Sequence, residues 1–78
     1  MKSKKVLVVD DEPDFRNLIK ARLEESHYEV ISAADGTEAI DKIKKEKPDA
    51  VLLDILMPGL DGLTVLKKIR RIDKELPV

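Results

Sequence analysis

Three aspartates carry the chemistry this sequence is equipped to do. Asp10 and Asp11 close the apolar run Val6-Leu7-Val8-Val9, and Asp54 closes the run Ala50-Val51-Leu52-Leu53. Short apolar runs bounded by turn residues suit strands buried on both faces, as in a parallel sheet. Acids at the ends of such strands sit where open α/β sheets place ligands, outside the carboxyl ends of the strands. If the two strands are neighbours, three carboxylates converge on one rim. Carboxylates held close together repel one another unless a cation joins them. An all-oxygen donor set with room for water suits Mg²⁺. Such a metal also grips phosphate oxygens and neutralises charge in phosphoryl transfer. A carboxylate can itself be the nucleophile, giving an aspartyl phosphate. The same acids also suit a plainer use, with Asp10 and Asp11 capping a helix and Asp54 serving a turn. Residue types alone leave both readings open.

The elements that must position these acids are legible from patterning. Val6 to Val9 reads as the first strand. Pro13 suits the first turn of a following helix, where its missing N–H costs nothing, and the acids around it favour the positive end of the helix dipole. Phe15, Leu18, Ile19 and Leu23 then recur at helical spacing, with Arg16, Asn17, Lys20 and Glu24 on the other side. Glu29 to Ala33 reads as a second, shorter strand. Asp35, with Glu38 three residues on, can cap a second helix as in a capping box. Ala39, Ile40 and Ile43 form that helix's narrow apolar stripe. Lys47-Pro48 ends it, because the residue before a proline disfavours helical geometry. Ala50 to Leu53 is the third strand, and the loop after it holds Pro58, Gly59 and Gly62. In the third helix Leu63, Leu66 and Ile69 make the expected apolar face, flanked by Val65 and Ile72. Strands alternating with helices imply right-handed crossovers and a parallel sheet.

Composition narrows the function classes. Fifteen Lys plus Arg against 16 Asp plus Glu leave a formal net charge of -1, which gives no electrostatic footprint for nucleic acid. No apolar stretch is long enough to span a bilayer, so no membrane role is expected. The basic start, Met1-Lys2-Ser3-Lys4-Lys5, leads into an apolar run that ends at once in acids, so it is no secretory signal. The chain has no cysteine, which excludes disulfides and thiolate metal sites and fits a cytoplasmic setting. The 78 residues suffice for one small domain of modest stability.

Val8-Val9-Asp10-Asp11-Glu12-Pro13, with Leu52-Leu53-Asp54-Ile55-Leu56-Met57-Pro58-Gly59-Leu60-Asp61-Gly62, resembles the receiver domain of two-component response regulators. Asp35-Gly36 followed by Glu38-Ala39 is similar to that family's entry into the second helix. The resemblance covers residues 1–78 as a single N-terminal portion of a receiver. It implies an α/β fold of flavodoxin-like type, partial, with three βα units and strand order 2-1-3. It implies that Asp54 accepts a phosphoryl group from a phosphohistidine on a histidine kinase or phosphotransfer protein. Asp10 and Asp11 would hold Mg²⁺, Asp11 the more direct ligand, with Asp54 and the main-chain carbonyl of Leu56 completing the set. Pro58 and Gly62 would shape the loop that turns this carbonyl inward. The module would be a phosphoprotein of signal transduction and not an enzyme.

A full receiver has five strand–helix units, and this sequence presents three. The hydroxyl residue after strand four and the lysine after strand five lie beyond it, so phosphotransfer is expected to be impaired. Without strand four, the apolar third strand becomes an edge, and such edges invite pairing. The expectation is a homo-oligomer, formed through the third strand by dimerisation or element exchange. Two other functions compete. One is an assembly module that has lost phosphotransfer. The other is a Mg²⁺-dependent phosphohydrolase using Asp54, but such enzymes place a second acid two residues on, and here that residue is Leu56. His27, the only histidine, lies at the end of the sheet opposite the acids and reads as a surface loop residue, not a phosphoryl relay. Phe15 is expected in the core, and the Lys-rich second helix as a solvated face.

Overall fold

The β-branched run near the N-terminus forms the centre of the sheet. In the computed structural model, which describes residues 4–53 and 62–78, β1 (Lys5–Val9) lies between β2 (Glu29–Ala33) and β3 (Ala50–Leu53), all parallel, in the order β2-β1-β3. Val6 to Val9 are all buried, as a strand covered on both faces must be. The helices are α1 (Pro13–Glu25), α2 (Gly36–Glu46) and α3 (Gly62–Ile72).

Register sorts the side chains into two layers. Leu7 pairs with Ile31 and Val51, and Val9 with Ala33 and Leu53. These residues pack with Ala39, Ile40 and Ile43 of α2, Val65 and Ile69 of α3, and Leu76 into the main core. Alternation along the strands sends Val6, Val8, Val30 and Leu52 to the opposite face, where α1 lies.

That second face is incompletely covered. Phe15 and Leu18 of α1 are 51% and 52% exposed and Leu52 is 46% exposed, and no residue of α1 is fully buried. The expectation of a core Phe15 is therefore corrected. The apolar stripe of α1 is wider than the surface that β1 and β2 offer it, so Phe15 and Ile19 line an open groove with Val8, Leu52 and Leu53. The facing of α3 is corrected too. Gly62, Val65 and Ile69 are its buried residues, whereas Leu63 is 53% exposed. Spacings of three and four put Gly62, Val65 and Ile69 on one side of the helix, and Leu63 falls outside that stripe.

Local signals place the boundaries. The Asp35 carboxylate accepts from the Glu38 amide at 2.8 Å as the N-cap of α2, while Glu38 pairs with Lys42 at 3.2 Å one turn on. Lys47 ends α2 in the left-handed region, φ 49°, with its amide bonded to the Ile43 carbonyl, and Pro48 follows. At the foot of the sheet, Asp49 donates its amide to the Lys5 carbonyl and accepts the Lys5 amide on its carboxylate, at 2.7 and 2.8 Å. The third strand's outer edge is not wholly bare, because the Val51 amide donates to the Pro77 carbonyl at 2.9 Å.

Candidate functional site

The site is built from the ends of β1 and β3. These strands are hydrogen-bonded neighbours, and Val9 is registered with Leu53. Val9 is the residue before Asp10, and Leu53 is the residue before Asp54. Adjacent strands run ~4.8 Å apart, so the last residues of the two strands, Val9 and Leu53, lie side by side. This is the adjacency on which convergence of the acids depends.

Asp10 is 4% exposed, the buried charged residue of the described core. Three hydrogen bonds hold it. Its amide donates to the Ala33 carbonyl of β2 at 3.1 Å. Its carboxylate Oδ1 accepts from the Glu12 amide at 2.9 Å. Its carbonyl accepts from Arg16 Nη1 at 2.7 Å. Asp10 is thus spent on shaping the turn with one carboxylate oxygen, and no hydrogen bond among the described residues engages the other. A local bond from an aspartate side chain to the amide two residues on is the ordinary device for such a turn.

Neither Asp10 nor Asp11 caps α1. The cap is Glu12, whose carboxylate accepts from the Asp14 amide, and Pro13 opens the helix. Asp11 is exposed and makes no hydrogen bond or ion pair among the described residues. The plainer reading of the pair as helix caps is therefore not what the structure shows. Asp10 forms the turn, and Asp11 follows it, exposed and without a partner among the described residues.

Among the described residues, no group of three His, Cys, Asp or Glu is assembled for a metal. The expected roles of Asp54, Leu56 and Pro58 fall outside the described residues, whereas Gly62 opens α3. The donors that are described fit a hard cation. They are two adjacent carboxylates at a strand tip, one buried with an oxygen that no hydrogen bond among the described residues engages, the other exposed.

One residue bonded at the strand tip escaped the patterning. Arg16 was expected on the solvated side of α1, yet it is half-buried and bonded to the strand tip. Its signal was present in the spacing. Arg16 lies four residues after the cap Glu12, and its amide bonds the Glu12 carbonyl at 2.9 Å, so its side chain projects back toward the N-terminus of the helix. His27 adopts φ 69° in the turn between α1 and β2, exposed and away from the acids, as expected for a loop residue. The lysines Lys44, Lys45 and Lys47 are exposed, as expected for a solvated face.

Comparison with known proteins agrees with this architecture. The family model of the response regulator receiver domain matches residues 6–78. The alkaline phosphatase synthesis transcriptional regulatory protein PhoP of Bacillus subtilis is 46% identical over 76 residues, covering 97% of this chain and 32% of PhoP. The response regulator TrrA of Thermotoga maritima, solved in complex with Mg²⁺-BeF, superposes with a TM-score of 0.86 at 46% identity, over 94% of this chain and 64% of TrrA. TrrA is also solved in complex with the histidine kinase ThkA, with a TM-score of 0.85. The chemotaxis protein CheY4 of Vibrio cholerae gives 0.88 at 36% identity, over 94% of this chain and 61% of CheY4. The chain spans about a third of PhoP and just under two thirds of the two solved regulators. With the motif, the strand order and the family model in agreement, the chain belongs to the response regulator receiver domain family of two-component systems.

Proposed function

We propose that this chain carries the phosphoryl-accepting site of a receiver module, with Asp54 as acceptor. The observation that carries the proposal is the in-register adjacency of the β1 and β3 tips, with Asp10 buried and braced at one of them. The Asp54 carboxylate forms a bond to phosphorus as the bond from phosphorus to the donor breaks, and the donor leaves with its electron pair. The donor is a phosphohistidine on a histidine kinase or phosphotransfer protein. The complex of TrrA with ThkA supports that partner class.

Asp10, Asp11, Asp54 and the Leu56 carbonyl are the residues that would hold Mg²⁺. The Mg²⁺-BeF complex of TrrA supports the choice of metal. Bound there, the metal would neutralise the developing charge on the phosphoryl oxygens. Asp10 would supply an oxygen from a hydrogen-bonded turn, and Asp11 an exposed one. Preorganised ligands spare the reorganisation that would otherwise oppose binding.

A second reading rests on the open groove. Val8, Phe15, Ile19, Leu52 and Leu53 present apolar surface next to the β3 edge. Copies of the 78-residue chain would associate there, covering Leu52. This is the assembly role, and it coexists with the first reading or replaces it.

Incubation with acetyl phosphate and Mg²⁺, followed by intact-mass analysis, separates the two. A phosphoryl adduct that disappears in Asp54→Asn supports the acceptor role. No adduct with the unchanged chain, folded by circular dichroism, leaves assembly alone. No helix among the described residues is long and apolar enough to cross a membrane.

A further inference from the structure

The turn that carries the acid pair is closed locally by the Asp10 carboxylate and is also bonded from the next helix by Arg16. The Asp10 carbonyl, to which Arg16 Nη1 donates at 2.7 Å, belongs to the peptide group joining Asp10 to Asp11. A peptide group is planar, so fixing that carbonyl also fixes the direction in which the chain enters Asp11. Of the other two ties on Asp10, the one from its amide to Ala33 lies before this peptide, and the one from the Glu12 amide to its carboxylate closes a turn around it; Arg16 is the tie made to the peptide's own carbonyl. Arg16 is anchored in the first turn of α1 by its own amide, bonded to Glu12, and is half-buried. It therefore couples a rigid helix to the one peptide that separates the two acids.

We infer that Arg16 is a positioning residue that sets the mutual orientation of Asp10 and Asp11 for a divalent cation, by bonding the carbonyl between them. This rests on the reading of the acids as a Mg²⁺ site. Charge alone argues the other way. A guanidinium near a cation site repels the cation, so an Arg16 that acted only as a charge would weaken binding, and its removal would tighten it. The two roles predict opposite signs.

The test is MgCl₂ titration of the full 78-residue chain, followed by calorimetry and by amide chemical shifts. Arg16→Met keeps the length and the apolar stem but removes the donor. The inference expects about a tenfold loss of Mg²⁺ affinity, the scale seen when partners that orient metal ligands are removed. Arg16→Lys, which keeps one donating head, recovers part of it. In metal-free protein, hydrogen exchange at the Glu12 amide speeds up in Arg16→Met, because the turn it closes is no longer braced. Unchanged or tighter Mg²⁺ binding in Arg16→Met overturns the inference, as does a loss accounted for by unfolding of the metal-free variant. Asp11→Asn separates this from the site reading. If it binds Mg²⁺ as well as the unchanged chain, the site reading fails and this inference with it. If Asp11→Asn loses Mg²⁺ and Arg16→Met does not, the inference alone fails.

Discussion

Two leucines on adjacent strands of one sheet should respond very differently to the same truncation. Leu7 sits at the middle of the central strand, fully buried, with Ile31 and Val51 in register on either side. Leu52 is 46% exposed at the edge of the other face. Leu7→Ala removes buried methyl groups where neighbours on both strands limit collapse into the cavity, so about 3 kcal/mol is expected, within the range for such changes. Leu52→Ala removes a side chain already half in water. Full burial of a leucine is worth about 1.5–3 kcal/mol, so about 1 kcal/mol is expected here. A domain of this size has about 4–12 kcal/mol in total, so Leu7→Ala removes a large share and Leu52→Ala a small one. Urea unfolding followed by far-ultraviolet circular dichroism reads both. With a slope of about 1 kcal/mol/M, the midpoint falls by about 3 M for Leu7→Ala and by about 1 M for Leu52→Ala. Equal losses at low protein concentration would refute the layer assignment, because they would mean that the face of β3 bearing Leu52 is covered within one molecule.

Other consequences follow from the same geometry. Asp35→Ala removes the N-cap of α2 and costs about 1 kcal/mol in the same unfolding assay; no loss would mean that the Glu38 amide finds another partner. Lys5→Met breaks an ion pair with Glu46 at 3.4 Å. Surface pairs contribute about 0–1 kcal/mol, so a small shift is expected, and a large one would show that this lysine supports the sheet in another way. Sedimentation across a concentration series should show self-association that weakens in Leu52→Glu, which places a charge in the open groove. A monomer at every concentration would remove the assembly reading. Asp54→Asn should abolish the acetyl phosphate adduct while leaving the circular dichroism unchanged.

Much of the fold was legible because the strands announce themselves. Val6 to Val9, Glu29 to Ala33 and Ala50 to Leu53 are short apolar or β-branched runs, and the structure gives strands over Lys5–Val9 and over the same two later spans. Asp35 and Lys47-Pro48 fixed the limits of α2 through capping chemistry and the steric rule before proline. Facing was harder to read. In α3 the apolar residues are numerous enough to draw two stripes, and only packing into the main core beside α2 selects the one through Val65 and Ile69. Phe15 is apolar at the right spacing, but spacing says which side of α1 it lies on and nothing of how much surface is there to meet it. At the site, residue types left caps and metal ligands equally open. The cap reading turned on a contact that periodicity does not encode, namely that Glu12 caps α1 while Asp10 accepts the amide at position 12. Arg16 was overlooked for the same reason. A charged residue on a helix reads as solvated until the carbonyl it reaches is seen.

The central claim is that acids from two neighbouring strand tips share one divalent cation. The most direct measurement is paramagnetic broadening of backbone amides when Mn²⁺ replaces Mg²⁺ on the full chain. The account predicts broadening centred on residues 10–12 and 54–56, displaced by excess Mg²⁺ and lost in Asp11→Asn. Broadening centred instead on the acids of α2 or the C-terminal tail, or the same pattern in Asp11→Asn, would contradict it.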